Sequence, residues 1–282
     1  FFCCWGAMQP LGESLTMLSS KEQGFEYGRV RLWGSLAFIA TAIIAGRVLS
    51  DTAPDAIMMM TFGSVMLMFA VTLFLPKTRT SKATGSGFPI APLLRNKAFL
   101  MVLVAAALIQ SSHAVYYGFG TIHWQKAGIS DTVIGVLWAE GVIAEVILFS
   151  MGAAVLRYTG PMRLIILGGA AGILRWLGTG LDDSLPGLFV LQALHGLTFG
   201  ATHLGVIHFI SDKVPEELSA TALSLYSAVV MGLAMGLMVM ASGHLYGALG
   251  GQAYFVVAGM AAVGGLLAFI VRQSNIQIVS NH

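Results

Sequence analysis

The chain is built from unbroken apolar runs, each about as long as a lipid bilayer is thick, and this decides most of what it can fold into. The runs fall at 1–18, 29–50, 55–75, 97–121, 131–156, 161–181, 185–210, 217–243 and 251–272, separated by Gly, Pro and charged residues. A helix needs about 20 apolar residues to cross the hydrocarbon layer. Hydrocarbon offers no water to unpaired backbone groups, so spanning segments are helices or closed barrels, and a barrel would show alternating segments of about ten residues. Only 10% of the 282 residues are charged and 56% are apolar, whereas a soluble domain carries about a quarter charged residues. The reading is an all-α integral membrane protein with nine spans, resident in the lipid bilayer.

The charges say which way the spans run. The sum is uninformative, because 15 Lys+Arg against 13 Asp+Glu leaves no strong attraction for nucleic acid. Position is informative. If the first span ends in the cytoplasm, Lys21, Arg29, Arg31, Lys77, Arg79, Lys82, Arg95, Lys97, Arg157, Arg163, Lys213 and Arg272 lie on that side, and only Arg47 and Lys126 lie opposite. Such a bias orients the chain with its C-terminus cytoplasmic, as a multi-pass protein of a plasma (bacterial inner) membrane.

The connection Pro76 to Arg95 is basic, free of acid and contains Thr84-Gly85-Ser86-Gly87, as expected of a flexible linker between helical bundles. The predicted organisation is therefore 1–76 as part of one bundle, 77–96 as cytoplasmic linker, 97–273 as a six-helix bundle and 274–282 as a cytoplasmic tail. Phe1 opens within an apolar stretch, without Met, basic flank or cleavage site. With three spans before the linker and six after it, the expectation is that three further helices precede Phe1.

An ionisable side chain in a span costs at least about 2.5 kcal/mol and asks for a partner, a cavity or a role. Glu145 lies near the centre of its run. Glu140, five residues earlier, is rotated about 140° from it, so Glu145 is chosen for the cavity side on depth; a plain hydrogen bond to a neighbouring helix is the alternative. His195 lies near mid-membrane, with Gln192 and Thr198 at helical spacing, and imidazole exchanges protons near neutral pH. Arg175 is about 10 Å inside the end of its run, within snorkelling reach, or else is paired with Glu145, another acid or an anionic substrate. Glu13 divides in the same way between a helix-end carboxylate and a bundle-facing acid.

Gln110, His113 and Tyr117 recur at spacings of three and four, on one helical face. Tyr116, Trp33 and Trp138 are candidate aromatic walls, and Trp124 reads as an interfacial belt residue. Gly232-x-x-x-Gly236 and Gly243-x-x-x-Gly247 read as close-packing motifs. Cys3 and Cys4 are adjacent, unlike metal ligands or a disulfide framework, and His203 and His208 lack the i, i+4 spacing of a helical metal pair. Neither a metal nor a cofactor is expected.

Several stretches together carry a resemblance. Phe25-Glu26-Tyr27-Gly28-Arg29-Val30-Arg31-Leu32-Trp33-Gly34-Ser35 resembles the start of the fifth helix in the phenylpropionate-permease-like branch of the major facilitator superfamily, relatives of lactose permease. Pro10-Leu11-Gly12-Glu13-Ser14-Leu15, Tyr116-Tyr117-Gly118-Phe119, Ala144-Glu145 and Leu191-Gln192-Ala193-Leu194-His195-Gly196 agree with it. The resemblance implies a major facilitator fold, with helices four to twelve of twelve present. It also implies a secondary transporter that works as a monomer. By it, Arg31 stands where lactose permease has a substrate-binding arginine, Arg175 where it has a proton-coupling arginine, and His195 where it has a coupling histidine. The match fails at Thr198, where the sugar transporter has glutamate, and Glu145 aligns a few residues beyond its eighth-helix carboxylate. Arg157-Tyr158-Thr159-Gly160-Pro161-Met162-Arg163 resembles a degraded superfamily loop motif.

The resulting expectation is alternating-access symport of a proton and a small organic anion, an aromatic acid such as a phenylpropionate, with no enzymatic activity. Glu145, His195, Arg175 and Glu13 would couple the proton; Arg31, Trp33, Gln110, His113, Tyr117, Trp138 and Gln192 would bind the substrate. The alternatives are a sugar or nucleoside:proton symporter and, more distantly, an intramembrane enzyme or a nontransporting remnant.

Overall fold

A computed structural model describes residues 12, 15–16, 19, 23–24, 27–50, 55–75 and 90–274. Among these, every regular element is helical. Most of the first span, Glu13, most of the linker and the end of the tail lie outside the described residues. So does the Arg31 side chain, although its backbone is helical.

Five described stretches are long and apolar enough to cross a membrane: Lys97–Lys126, Asp131–Ser150, Pro161–Leu181, Leu185–Lys213 and Glu217–Gln273. The last, 57 residues, would extend about 85 Å as one rod. It turns at Gly250, where φ is +56, a backbone state that glycine adopts without steric cost. Trp33–Leu49 and Ala56–Thr72 are shorter apolar helices.

The chain divides into two compact units, Phe1–Gly87 with Ser130–Ala139, and Phe88–Ile129 with Glu140–His282. In the first, α1 (Tyr27–Ser50) and α2 (Asp55–Thr72) occupy the runs read at 29–50 and 55–75. A methyl group on Gly46 would sit 2.6 Å from the Asp131 carbonyl oxygen, so α1 meets this part of the chain at backbone distance.

The second unit begins with α3 (Ile90–Arg95) and α4 (Lys97–Ser111), which Asn96 caps by accepting the Phe99 N–H at 3.0 Å. It continues with α5 (Ala114–Lys126), the later part of α6 (Asp131–Ser150), α7 (Gly152–Thr159), α8 (Pro161–Leu181), α9 (Leu185–Ala193), α10 (Thr202–Lys213), α11 (Glu216–Tyr226), α12 (Met235–Leu249) and α13 (Ala253–Gln273). Gly160 and Pro161 end α7 and start α8, and the run read as 131–156 divides at Met151 into a helix that stops at Ser150 and a short one from Gly152.

In lipid, helices associate by close packing rather than by expelling water, and small residues set the contacts. α13 lies along α8 and α4. Methyl groups on Gly169, Gly172 and Gly264 would meet Gly265 Cα at 2.6 Å, Ala261 Cβ at 2.8 Å and the Ala105 carbonyl oxygen at 2.8 Å. Among the described residues, a methyl on Gly236, Gly243 or Gly247 meets nothing within 4 Å. The four-residue glycine spacing marks a smooth face, and it does not say whether another helix of the chain covers that face.

Two helices break where the polar residues are. Between α4 and α5, three consecutive side chains turn back onto preceding carbonyls: Ser111 Oγ to Ala107, Ser112 Oγ to Ile109 and His113 Nδ1 to Gln110. Such bonds compete with the backbone ladder, and the His113 N–H bonds three residues back instead of four. Between α9 and α10, Gly196–Ala201 is a π-helical segment, a form that concentrates at functional sites.

Candidate functional site

Both breaks face Arg175 on α8. Its side chain is 0% exposed, which overturns the snorkelling reading. Nη1 donates to His195 Nδ1 at 2.9 Å and to Thr198 Oγ1 at 3.1 Å, and Nη2 donates to Gln192 Oε1 at 2.6 Å. The guanidinium carbon lies 4.6 Å from the ring centres of both Tyr116 and Trp176. Those hydrogen bonds all go to groups without negative charge. Three bonds from a charged donor at about 1.5–3 kcal/mol each and two cation–π contacts of about 1–2 kcal/mol are enough to hold the cation in the bundle without an ion pair.

The partners are themselves fixed. Gln192 Nε2 donates to the Tyr116 hydroxyl at 3.0 Å, and Trp176 Nε1 donates to Ser112 Oγ at 2.8 Å. His113 is fully buried, with Nε2 3.0 Å from Thr198 Oγ1. The rings of His113 and His195 cross edge to face at 5.4 Å.

Hydrogen-bond chemistry assigns the imidazole protons. A guanidinium only donates, so His195 Nδ1 accepts and is bare; in the neutral ring the proton sits on Nε2. That nitrogen is 3.9 Å from Glu145 Oε2. His113 Nδ1 faces a carbonyl oxygen and must donate, which leaves Nε2 of the neutral ring as an acceptor for the Thr198 hydroxyl. The order is therefore cation, imidazole, carboxylate: Arg175 and Glu145 meet opposite nitrogens of His195. The direct Arg175–Glu145 pairing that the sequence left open is not formed.

Glycines bring the carboxylate to this position. Methyl groups on Gly196 and Gly200 would lie 2.7 Å from the Ala144 carbonyl oxygen and 2.9 Å from Leu148 Cδ2, and one on Gly141 would lie 3.4 Å from His195 Cβ. α6 therefore rests directly on the π-helical segment. Glu145, 17% exposed, is the carboxylate beside His195; Glu140 is about 7.5 Å further along the helix.

Of the residues chosen from sequence, Arg175, His195, Gln192, His113 and Gln110 are buried in one network, the last through Nε2 to the Phe199 carbonyl at 3.2 Å. Tyr117 stacks on His113 at 5.7 Å and is 40% exposed. Trp138 is half-buried and Trp33 is 72% exposed, both in the first unit. Trp124, read as an interfacial residue, is instead buried against Tyr116 at 5.9 Å. Trp176 and Ser112 escaped the sequence reading. The polar run Gln110-Ser111-Ser112-His113 in mid-span was the available signal for Ser112, and nothing marked Trp176.

A second cluster centres on His123 of α5. Nδ1 is 3.1 Å from the Tyr246 hydroxyl of α12, and Nε2 is 3.1 Å from Asp183 Oδ1 between α8 and α9. The ring meets Tyr254 of α13 at 5.2 Å and fills the space where Gly251 lacks a side chain. Among the described residues no group of three or more His, Cys, Asp or Glu has the arrangement of a metal site.

Comparison with known proteins agrees with this architecture. The profile of the MFS_1 like family matches residues 1–257. The chain is 33% identical over 255 residues to a protein of Escherichia coli (strain K12) named "Probable 3-phenylpropionic acid transporter", covering 88% of this chain and 66% of the relative. It is 25% identical over 273 residues to an uncharacterized transporter of Bacillus subtilis (strain 168), covering 93% and 67%. It is 28% identical over 245 residues to the maltose permease of Geobacillus stearothermophilus, covering 85% and 61%. The chain thus spans about two thirds of the length of the curated relatives it matches, and those relatives are transporters rather than enzymes. By its helices and by this match, the chain is a multi-pass membrane protein that belongs to the MFS_1 like family of the major facilitator superfamily.

Proposed function

We propose that the protein carries a small organic anion across a bacterial inner membrane together with a proton, by alternating access of two bundles around a midplane site. The observation that carries this reading is the buried Arg175, whose hydrogen bonds go to uncharged groups while Glu145 stands one imidazole away. A carboxylate beside a bundle cation exchanges its proton as that cation moves. With Glu145 neutral, the site reorients without burying a free anion, which would cost several kcal/mol. His195 passes the proton or orients it, and Arg175 sets the charge. Glu13 is assigned to the same coupling role from its sequence position.

Arg31 is assigned to the substrate carboxylate. Trp33, Tyr117 and Trp138 supply aromatic faces for stacking, and Gln110, His113 and Gln192 supply the polar positions. The printed name of the Escherichia coli relative supports an aromatic acid as substrate. The protein works as a monomer with its C-terminus in the cytoplasm. The maltose permease match favours a second reading, a sugar symporter, but among the described residues buried Asn and Asp side chains to grip many hydroxyls are scarce.

The test is uptake of labelled 3-phenylpropionate by cells expressing the protein, with an imposed inward proton gradient. Accumulation that collapses with a protonophore, and that unlabelled phenylpropionate but not maltose competes away, is the expected outcome. Competition by maltose alone would transfer the protein to the sugar symporters.

A further inference from the structure

His113 differs from the family-matched residues: nothing in the resemblance makes it a proton carrier, and its hydrogen bonds connect it to the buried cation. Thr198 Oγ1 accepts from Arg175 Nη1 at 3.1 Å and lies 3.0 Å from His113 Nε2. Since Arg175 only donates and His113 Nδ1 is committed to the Gln110 carbonyl at 3.0 Å, the Thr198 proton points at His113 Nε2. One hydroxyl thus reports the presence of the cation to a second imidazole. The same oxygen lies 3.3 Å from the His195 carbonyl oxygen, so an alternative acceptor for its proton is already in place.

The geometry points to His113 as a second proton-binding site, loaded when the negative charge of a bound organic anion offsets the positive charge of Arg175, with the Thr198 hydroxyl as the switch between its two states. This rests on the transport reading above and extends it to His113, to which the resemblance assigns no proton. In the loading step a proton from the medium joins the lone pair of His113 Nε2. The Thr198 O–H rotates, without breaking, from His113 to the His195 carbonyl, and Oγ1 then accepts from the new Nε2–H. The imidazole gains one positive charge and the anion supplies the compensating negative one. Release of the anion restores the repulsion from Arg175 and expels the proton.

The groups facing His113 make this charge dependence specific. They are Tyr117 stacked on its own helix, Trp176 edge-on at 5.0 Å from α8, His195 at 5.4 Å and Phe199 at 6.1 Å from the π-helical region, and Arg175 through Thr198. Among the described residues no carboxylate is in contact with its ring; Glu145 meets the far nitrogen of His195. The charge that His113 senses at close range is therefore that of Arg175.

The experiment measures 3-phenylpropionate binding to the purified protein in phosphatidylethanolamine–phosphatidylglycerol nanodiscs from pH 5.5 to 8.5, where the slope of log Kd with pH counts the protons taken up per anion. The wild type is expected to give a steeper slope than His113→Gln and Thr198→Val, which should lose about half of it and agree with each other. Thr198→Ser should restore it, because the hydroxyl rather than the bulk carries the link. Slopes in both variants equal to wild type overturn this inference and leave the transport reading standing. A wild-type slope of zero, or no binding of 3-phenylpropionate, overturns the transport reading and this inference with it. If His113→Gln does not fold, the Thr198→Val and Thr198→Ser pair decides alone.

Discussion

The two imidazole-centred clusters of the second unit use similar parts to opposite ends. At His123 the carboxylate is in direct contact, 3.1 Å from Nε2, and Asp183 is 54% exposed. At His195 the ring stands between a fully buried guanidinium and a carboxylate 3.9 Å away. The first cluster ties α5, α12, α13 and the α8–α9 connection together at one end of the unit, with its carboxylate exposed. The second keeps a cation in the bundle whose hydrogen-bond partners among the described residues are uncharged. A membrane protein maintains an intramembrane charge at the cost of stability, and such groups mark substrate and proton pathways. On the function proposed above, the first cluster is a structural clasp and the second the working site.

Breaking the working site at its centre should have the largest effect. Arg175→Met removes the guanidinium bonds to Gln192 Oε1 and His195 Nδ1, each worth about 1.5–3 kcal/mol as a bond from a charged donor. The expected result is a loss of about 3 kcal/mol in resistance to chemical unfolding in lipid, together with complete loss of proton-driven uptake. Next comes the distance between imidazole and carboxylate. Gly196→Ala puts a methyl group against the Ala144 carbonyl and pushes α6 away from His195. Overpacking of this kind costs about 1–3 kcal/mol, and uptake should fall at least tenfold even at matched amounts of folded protein, because Glu145 moves with α6.

The clasp should respond the other way. His123→Ala removes the contacts to Tyr246, Asp183 and Tyr254, costing about 1–2 kcal/mol in unfolding experiments, while the pH profile of uptake keeps its shape. A changed pH profile would make the two clusters one system.

The smallest effect belongs to the same end of the unit. Asp182 accepts from the Ser184 backbone N–H at 2.8 Å, and bonds from Ser184, its side chain first, hold the Asp182 carboxyl below its ordinary value near 3.8. A lowered carboxylate contributes stability that is present above its ordinary pKa and lost as pH falls through the lowered one. Ser184→Ala should move the Asp182 titration, followed by NMR of labelled aspartate, up toward its ordinary value and leave uptake at neutral pH unchanged.

Hydropathy made the helices legible, because a span must be apolar along its whole length whatever it packs against. The runs at 29–50, 55–75 and 161–181 coincide with α1, α2 and α8 to within three residues. The interruptions were not legible, since a break at Ser112 or a π-helical segment after His195 leaves the apolar run intact while changing which side chains converge. Arg175 and His195 were found from sequence because their residue types are costly in lipid. Their partners were not deducible. Whether a cation ten ångströms deep snorkels or turns inward depends on the neighbouring helix, and α9 supplies Gln192 and the π-helical segment Thr198. Trp124 was misread for a related reason: an aromatic residue near a helix end suits the membrane interface or the bundle equally, and only the approach of Tyr116 from its own helix decides. Four-residue glycine spacing alone did not say which faces are covered: Gly168 and Gly172 on α8 pack closely against Thr202 and Ala261, while methyl groups on Gly243 and Gly247 of α12 meet nothing within 4 Å among the described residues.

The central claim is that the buried Arg175–His195–Glu145 array links a proton to an organic anion. Its most direct test is proton movement in vesicles containing the protein, driven by a 3-phenylpropionate gradient with no imposed pH difference. The account predicts alkalinisation of the external medium as the anion enters the wild-type vesicles. It predicts none for Glu145→Gln, with anion exchange across the membrane retained. Anion entry without proton movement in the wild type, or wild-type alkalinisation by Glu145→Gln, would contradict it.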